Sequence, residues 1–310
     1  MRLYIDKENL VSLMKSQAQG CFEDCVRAIR KDIDVQYNFS NEEIKNDELL
    51  VAWFRRFGSG VDTKQLFVPK DSPQIKPPRP LKSNFYTSDG RNGYTAVYLL
   101  NDCHMCEVVA QKSCVLIGKI GEETRIISSL FLEDTETDSI SITSWRDYCP
   151  TLPVSDIVLC DNHYFKNKIT YEKNDNELIK AIACIPHESP INVVIITKED
   201  QVGVNLSIEQ KHIKDIVKKA TGSKKSTVTI LTTKKAHDRC LITNYYRIKH
   251  GSCFHLIDSG IKADVTTEIK SHIKRNNERV TKKLLTTFQN IVDDPYQCYG
   301  DRVSNLLEFD

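Results

Sequence analysis

Most of the eight histidines stand alone, but His237 lies in AHDRCLITNYYRIKHGSCFH, where further groups able to handle a phosphate follow within eighteen residues. Residues two apart on a strand share a face, so His237 and Arg239 are expected to point together. Asn244, Gly251, Ser252 and His255 would return across the intervening hairpin. An imidazole, a guanidinium, an amide and a hydroxyl beside a glycine suit an oxyanion. The guanidinium supplies a fork of donors, the glycine lets backbone approach, and the imidazole titrates near neutrality as base or nucleophile. Lys224, Lys225, Lys234, Lys235, Arg247 and Lys249 are the neighbouring cations expected to bind the ligand. A histidine and an arginine near a strand end are also common with no joint role, and any single lysine more often solvates a helix face.

Charge distribution favours an anionic partner. The chain of 310 residues has a formal charge of +1, but residues 201–290 carry 18 lysines and arginines against 7 aspartates and glutamates, a net of +11. Residues 1–150 carry 19 against 22, a net of −3. A field concentrated in one part of the chain serves nucleic acid, lipid headgroups or an acidic protein.

The elements that must position these groups follow from periodicity. Residues 1–68 read as helical, with a capping-box pattern at Ser40 and Glu43 and an apolar stripe of Ile44, Leu49, Leu50, Trp53, Phe54 and Phe57 ending at Gly58. A second helix is expected near residues 21–30. Residues 69–84 hold five of the ten prolines and form a stiff extended connection. Residues 85–150 have strand composition at 94–100, 106–117, 125–132 and 140–143, with DTETD as an acidic turn. From residue 154 strand and helix alternate: strands at 156–160, 191–197, 227–232, 240–243 and 253–257, a helix begun by Asp175, and a helix capped by Ser207 and Gln210. This rhythm predicts an α/β sheet with crossover helices, preceded by a helical plus β portion. Residues 264–291 are expected to be helical, bent or divided near Asn276 and Asn277, and 292–310 to form a C-terminal tail.

The intervals around His237 carry a resemblance. His237, one residue, Arg239, four residues, Asn244, six residues, then Gly251, Ser252 and His255 resemble the phospholipase D superfamily signature of His-x-Lys, four residues, Asp, six residues, Gly-Ser and a following Asn. Arg239 stands where Lys is usual, Asn244 where Asp is usual, and His255 where Asn is usual. VSDIVLCDNHYF, residues 154–165, resembles the first strand of such domains, so the likeness covers about residues 154–260. It implies a phospholipase D-like mixed sheet over 154–291. It also implies chemistry that needs neither metal nor cofactor: one histidine attacks phosphorus to give a phosphohistidine, and a histidine from a second motif protonates the leaving oxygen. One motif is present, so an active site would be completed in a homodimer that brings two copies of His237 together.

The three substituted positions favour a degenerate module that keeps anion binding, with nucleic acid phosphate as the foremost ligand, over the phosphodiesterase or nuclease alternative. A third reading is a structural assembly subunit with an empty pocket. By analogy alone, the chain looks like an accessory subunit of bacterial antiviral or mobile-element defence whose N-terminal half recruits a protein partner. No helix-turn-helix, zinc-finger or aromatic RNA-binding pattern supplies base readout, so contacts to phosphate are expected to dominate.

Composition excludes other classes. Apolar residues at 40% and charged at 27%, with 12 glycines, describe an ordinary folded chain and not a coiled coil, collagen or a disordered segment. Eleven cysteines, an odd count, in a long chain without a leader pattern are expected to be free thiols in the cytoplasm. Cys103 and Cys106 form half of a zinc pattern, but Cys114 and Cys149 do not supply a second Cys-x-x-Cys. No stretch is apolar enough to be read as a membrane span.

Overall fold

The structure is a computed structural model that describes residues 2–5, 7–15, 34–37, 41–58, 67–68, 96–99, 115–116, 135–137, 154–183, 190–234, 239–250, 267–271 and 275–309. The chain falls into two compact units, one drawn mainly from residues 1–132 and the other from 133–272 together with 277–310.

In the first unit β1 (Arg2–Ile5), α1 (Lys7–Lys15), β2 (Asp34–Tyr37), α2 (Asn41–Lys45), α3 (Glu48–Gly58), β3 (Phe67–Val68), β4 (Ala96–Leu99) and β5 (Val115–Leu116) alternate. Their strands form a parallel sheet of order β3-β2-β1-β4-β5. The stretch expected to be helical thus contributes three strands, each too short for an alternating pattern to be legible. Leu10 and Met14 of α1 and Leu50 and Trp53 of α3 are buried, and the two helices pack together. The helix expected to run on from Ser40 is broken after α2. Asp47 starts it again, its Oδ1 accepting from the N–H groups of Leu49 (3.0 Å) and Leu50 (3.3 Å), while Lys7 Nζ lies 3.6 Å from Oδ2. The helix expected at 21–30, the proline-rich segment, the strands expected at 125–132 and 140–143, and Cys103, Cys106, Cys114 and Cys149 lie outside the described residues.

The second unit is a mixed α/β structure. It contains β6 (Thr135–Thr137), β7 (Asp156–Cys160), α4 (Lys168–Ile182), β8 (Asn192–Lys198), α5 (Leu206–Thr221), β9 (Thr227–Thr233), β10 (Cys240–Thr243), β11 (Tyr246–His250), β12 (Thr267–Ser271), α6 (Arg275–Asp293) and β13 (Gln297–Gly300). Its sheet has the order β13-β9-β8-β7-β10-β11-β12-β6, and the four strands expected to share one sheet, β7 to β10, do so. β7, β8 and β9 are parallel and joined by α4 and α5; the remaining pairings are antiparallel.

Valine, isoleucine and leucine fill both faces of these central strands, as interior strands require. Val158, Cys160, Val194, Ile196, Leu231, Cys240 and Ile242 meet Leu285, Phe288 and Ile291 of α6 and the C-terminal Leu306 and Leu307. By alternation Ile157, Leu159, Val193, Ile195 and Ile230 face the other way, where α5 packs on β9 and α4 on α5.

Several local expectations are corrected. DTETD supplies β6, a threonine-rich edge strand paired with β12, not a turn. Val265, Ile269 and Ile273 read as a helical stripe, yet a spacing of four is also even, and Ile269 is buried within strand β12. β10 turns directly into β11 at Asn244 and Tyr245, with Thr243 Oγ1 accepting from the N–H groups of Tyr245 and Tyr246, both at 3.1 Å. The strand expected at 253–257 lies outside the described residues. Asn205, not Ser207, caps α5, and Gln210 donates across to Val228 O at 2.8 Å. The expected tail instead gives β13, beside β9, and core residues Leu306 and Leu307.

Asp175 does not begin a helix; α4 starts seven residues earlier at Lys168, capped by Asn167. Asp175 is buried in its interior, where Oδ1 accepts from the hydroxyl of the fully buried Tyr164 at 2.8 Å and Oδ2 lies 3.7 Å from His212 Nε2 of α5. Burial raises its pKa to about 6, against the Tyr164 hydrogen bond and His212, which lower it; Glu209 and Glu172 add to the rise. The folded state therefore holds this proton more tightly than the unfolded chain does. Its contribution is fully present below the ordinary value of 3.8 and is lost as pH rises through about 6. We expect Asp175→Asn, which keeps an acceptor for Tyr164, to gain on the wild type as pH rises from 5 to 8, by about 1.4 kcal/mol. Urea unfolding of both proteins across that range measures the difference.

Candidate functional site

Parallel strands joined by helices leave a crevice at their carboxyl ends, where the helix N-termini also point. The helix N-termini add positive potential at that end. Here the chain proceeds from β7 to β8 and β9 on one side, then returns to place β10 on the other side of β7. That edge is formed by Asp161 after β7, Lys198 ending β8, Lys234 after β9, and Arg239 entering β10.

The loop after β7 is held firmly. Asp161 N–H continues the ladder to Ile196 O at 3.0 Å, and Asp161 Oδ1 accepts from His163 N–H at 2.8 Å. Tyr164 and Phe165 are fully buried with ring centroids 4.7 Å apart. Gly203 N–H donates to Phe165 O at 2.9 Å, and a Cβ at Gly203 would stand 2.3 Å from Lys166 O, so only glycine lets the loops after β7 and β8 meet this closely.

Arg239 Nε lies 3.9 Å from Asp161 Oδ1, and the arginine side chain keeps 23% of its exposure. Thr197 of β8 stands opposite Thr232 of β9, and Asp161 is one residue beyond the Cys160–Ile196 pair, so a polar row closes the apolar strands at this edge. Thr197 Oγ1 donates to Asn162 O at 3.4 Å. Asn162 Oδ1, His163 Nδ1 and Thr232 Oγ1 are buried atoms without a hydrogen-bond partner among the described residues, and Thr232 is 1% exposed. α4 and α5 bring their N-termini, capped by Asn167 and Asn205, to the same edge.

The register sets the basic groups in a slanting row. Lys249 of β11 is paired with Cys240, which is paired with Cys160; Arg239 is one residue further toward the edge, Lys198 two, and Lys234 follows Thr233, the partner of Lys198. Cations thus stand on β11, β10, β8 and β9, around Asp161 of β7, over about 19 Å at the usual strand separation; by alternation Lys249 and Lys198 lie on the face that meets α6 and Arg239 on the other, so they flank the edge from both faces. Lys234 is exposed; Lys198 and Lys249 are half-buried. Lys198 Nζ lies 3.0 Å from Asp200 Oδ2, and that hydrogen bond holds the Asp200 carboxyl below its ordinary value.

Among the described residues, those singled out from sequence do not converge on one place. Arg239 precedes β10 and Asn244 follows it, so they lie at opposite edges of the sheet. Asn244 is 2% exposed, and its Oδ1 accepts from the N–H groups of Ser155 and Asp156, each at 3.0 Å, at the amino end of β7. Lys224 and Lys225 are exposed at the amino end of β9, and Lys234 follows its other end, across seven strand residues, roughly 23 Å. Lysines expected to act together are therefore divided between two edges. Arg247 is 4% exposed; one terminal nitrogen lies 3.6 Å from Glu268 and the other donates to Thr281 Oγ1 at 3.5 Å, so its guanidinium serves packing between β11, β12 and α6. His237, Lys235, Gly251, Ser252 and His255 lie outside the described residues. Sequence reasoning missed Lys198, Asn162 and Thr232 as edge residues, because their importance comes from cross-strand register, which no local spacing encodes.

No family model matches the sequence, and comparison with curated proteins gives no match. Among solved structures the chain is similar to TrmBL2, an archaeal chromatin protein described as showing a novel mode of DNA binding, at 14% identity and a TM-score of 0.29. The match covers 56% of this chain and 59% of that one, so the chain spans somewhat over half the length of that protein. Among the described residues no helix is long and apolar enough to cross a membrane.

Asn244 acts on two buried backbone donors at the start of β7, and a neutral amide suits a place beside the buried carboxylate of Asp156 better than a second carboxylate would. We expect Asn244→Ala to lower stability by about 2–3 kcal/mol by leaving both donors without an acceptor, read as a shift in denaturant midpoint. Asn244→Asp keeps an acceptor for both donors yet should also lower the denaturant midpoint, because a second carboxylate beside that of Asp156 adds like-charge repulsion.

Proposed function

We propose that the second unit binds the phosphate backbone of a nucleic acid along the carboxyl edge of its sheet. The observation that carries this reading is the row of Lys249, Arg239, Lys198 and Lys234 on strands β11, β10, β8 and β9. A point anion needs one fork of donors, whereas a row of cations about 19 Å long matches a repeating polyanion. The N-termini of α4 and α5 add positive potential there. None of these groups reads a base edge, so binding is weakly sequence-specific and strongly salt-dependent.

The phospholipase D-like resemblance supplies the enzyme alternative. His237 falls in the chain between Lys234 and Arg239, both placed at the edge, and in that reading it attacks phosphorus without a metal, in a homodimer. Asn244, engaged at the far edge, takes no part in either reading. An accessory role in bacterial defence and a protein partner for the first unit belong to the same proposal.

The test uses the full chain with fluorescent oligonucleotides at low and high salt, in chelator. Neutralising Lys198, Lys234, Arg239 and Lys249 together to glutamine is expected to weaken binding on every sequence and to reduce the salt slope by about one counterion for each phosphate that no longer meets a cation. Neutralising Lys224 and Lys225 at the other edge should change binding little. Undiminished binding by the fourfold variant rejects the proposal; vesicles of anionic lipid bound in preference to oligonucleotide would replace nucleic acid with a membrane surface. Cleavage in chelator that His237→Ala abolishes, with binding kept, would establish the enzyme alternative.

A further inference from the structure

At the Lys234 end of the basic row a large aromatic ring stands in solvent. Tyr296 retains 49% of its exposure, and Lys234 Nζ lies 5.0 Å from its ring centroid. The ring is not on a loose tail: Tyr296 N–H donates to Thr232 O at 3.0 Å, Gln297 is in register with Thr232, and Pro295 fixes the preceding backbone. A cation over one aromatic face is an ordinary surface contact. The same pair at the end of a row of phosphate-binding cations has a second use: a preplaced ring and a preplaced ammonium can take a base and its adjacent phosphate with little ordering cost.

We infer that Tyr296 is a stacking platform for one unpaired base, so that the ligand of the carboxyl edge is single-stranded. The inference rests on the phosphate-backbone reading and adds to it the strandedness of the nucleic acid. In a duplex each base is already stacked on its neighbours, and its face is closed to a side chain; an unpaired base presents that face. Stacking tolerates any base, which agrees with an edge that carries no base-edge readers. Lys234 holds the phosphate next to the stacked base, while Lys198, Arg239 and Lys249 hold those further along.

The experiment compares three probes of equal length on the full chain: a single-stranded oligonucleotide, a duplex, and an abasic strand that keeps the sugar-phosphate backbone. Tyr296→Ala is expected to weaken single-strand binding about tenfold while leaving duplex and abasic binding unchanged. The wild type should bind the abasic strand about as weakly as Tyr296→Ala binds the ordinary one. Tyr296→Phe and Tyr296→Trp should keep full affinity, and the tryptophan emission of the latter should be quenched by the single strand but not by the abasic one. Tyr296→Ala binding the single strand as tightly as wild type, or weakening on all three probes equally, overturns the inference. Abolished binding in the fourfold cation variant with no effect of Tyr296→Ala would leave the phosphate reading standing and overturn the stacking platform alone. Undiminished binding by the fourfold variant would remove both.

Discussion

A carboxylate shut away from solvent fixes the second sheet. Asp156, at the start of β7, is fully buried, and its oxygens accept from Asn192 Nδ2 at 3.2 Å, Ser304 Oγ at 3.0 Å, Asn305 N–H at 2.6 Å and Asn305 Nδ2 at 2.7 Å, with the Ser155 hydroxyl as a further donor. A buried anion costs several kcal/mol unless its lone pairs are filled, and here the donors come from β8 and from the segment after β13. Asn244 completes the arrangement by taking the backbone N–H groups of Ser155 and Asp156. These contacts position β7 between β8 and β10, and thereby set Asp161 and its neighbours at the other end.

The two edges of the sheet differ in chemical character for this reason. At the amino edge of β7 polar groups meet polar groups of the same chain, in a network whose members are donors to or acceptors from one another. At the carboxyl edge the cations of four strands are spread apart by the strand separation, and buried atoms of Asn162, His163 and Thr232 find no partner among the described residues. A closed network holds a fold together; an open one has capacity for something else. The clash that any side chain at Gly203 would make with Lys166 O shows how closely the loops beneath this open edge are fitted.

The central strands were legible in the sequence because burial on both faces demands unbroken apolar runs, and INVVIIT has no other easy reading. The helices were harder to bound: Asp175 has the side chain of a cap but serves as a buried acceptor for Tyr164, and the cap of α5 is Asn205, two residues before the hydroxyl that resembled one. β12 was hidden by a four-residue apolar spacing that fits both periods. Of the candidate site, Arg239, Lys234 and Lys249 were found from local composition and spacing, but their company was not. Four strand residues between Arg239 and Asn244, and seven between Lys225 and Lys234, convert neighbours in sequence into opposite edges. The segment after β13 carried no periodic signal, because its most consequential contacts are polar and single.

The partnership of Asp156 with Asn305 spans 149 residues and gives the second unit a temporal asymmetry. At a synthesis rate of about 5–20 residues per second, the carboxylate emerges roughly 7–30 seconds before the amide that shields it. During that interval β7 can collapse with β8 through its apolar faces, but its first residue still requires water, so the nascent sheet is left unsealed at one end. A ribosome that stops before Ser304 would release a chain with most of its apolar core and an unshielded anion at the centre of its sheet. Sealing of the amino end of β7 therefore waits on Ser304 and Asn305, long after its apolar faces have found their partners.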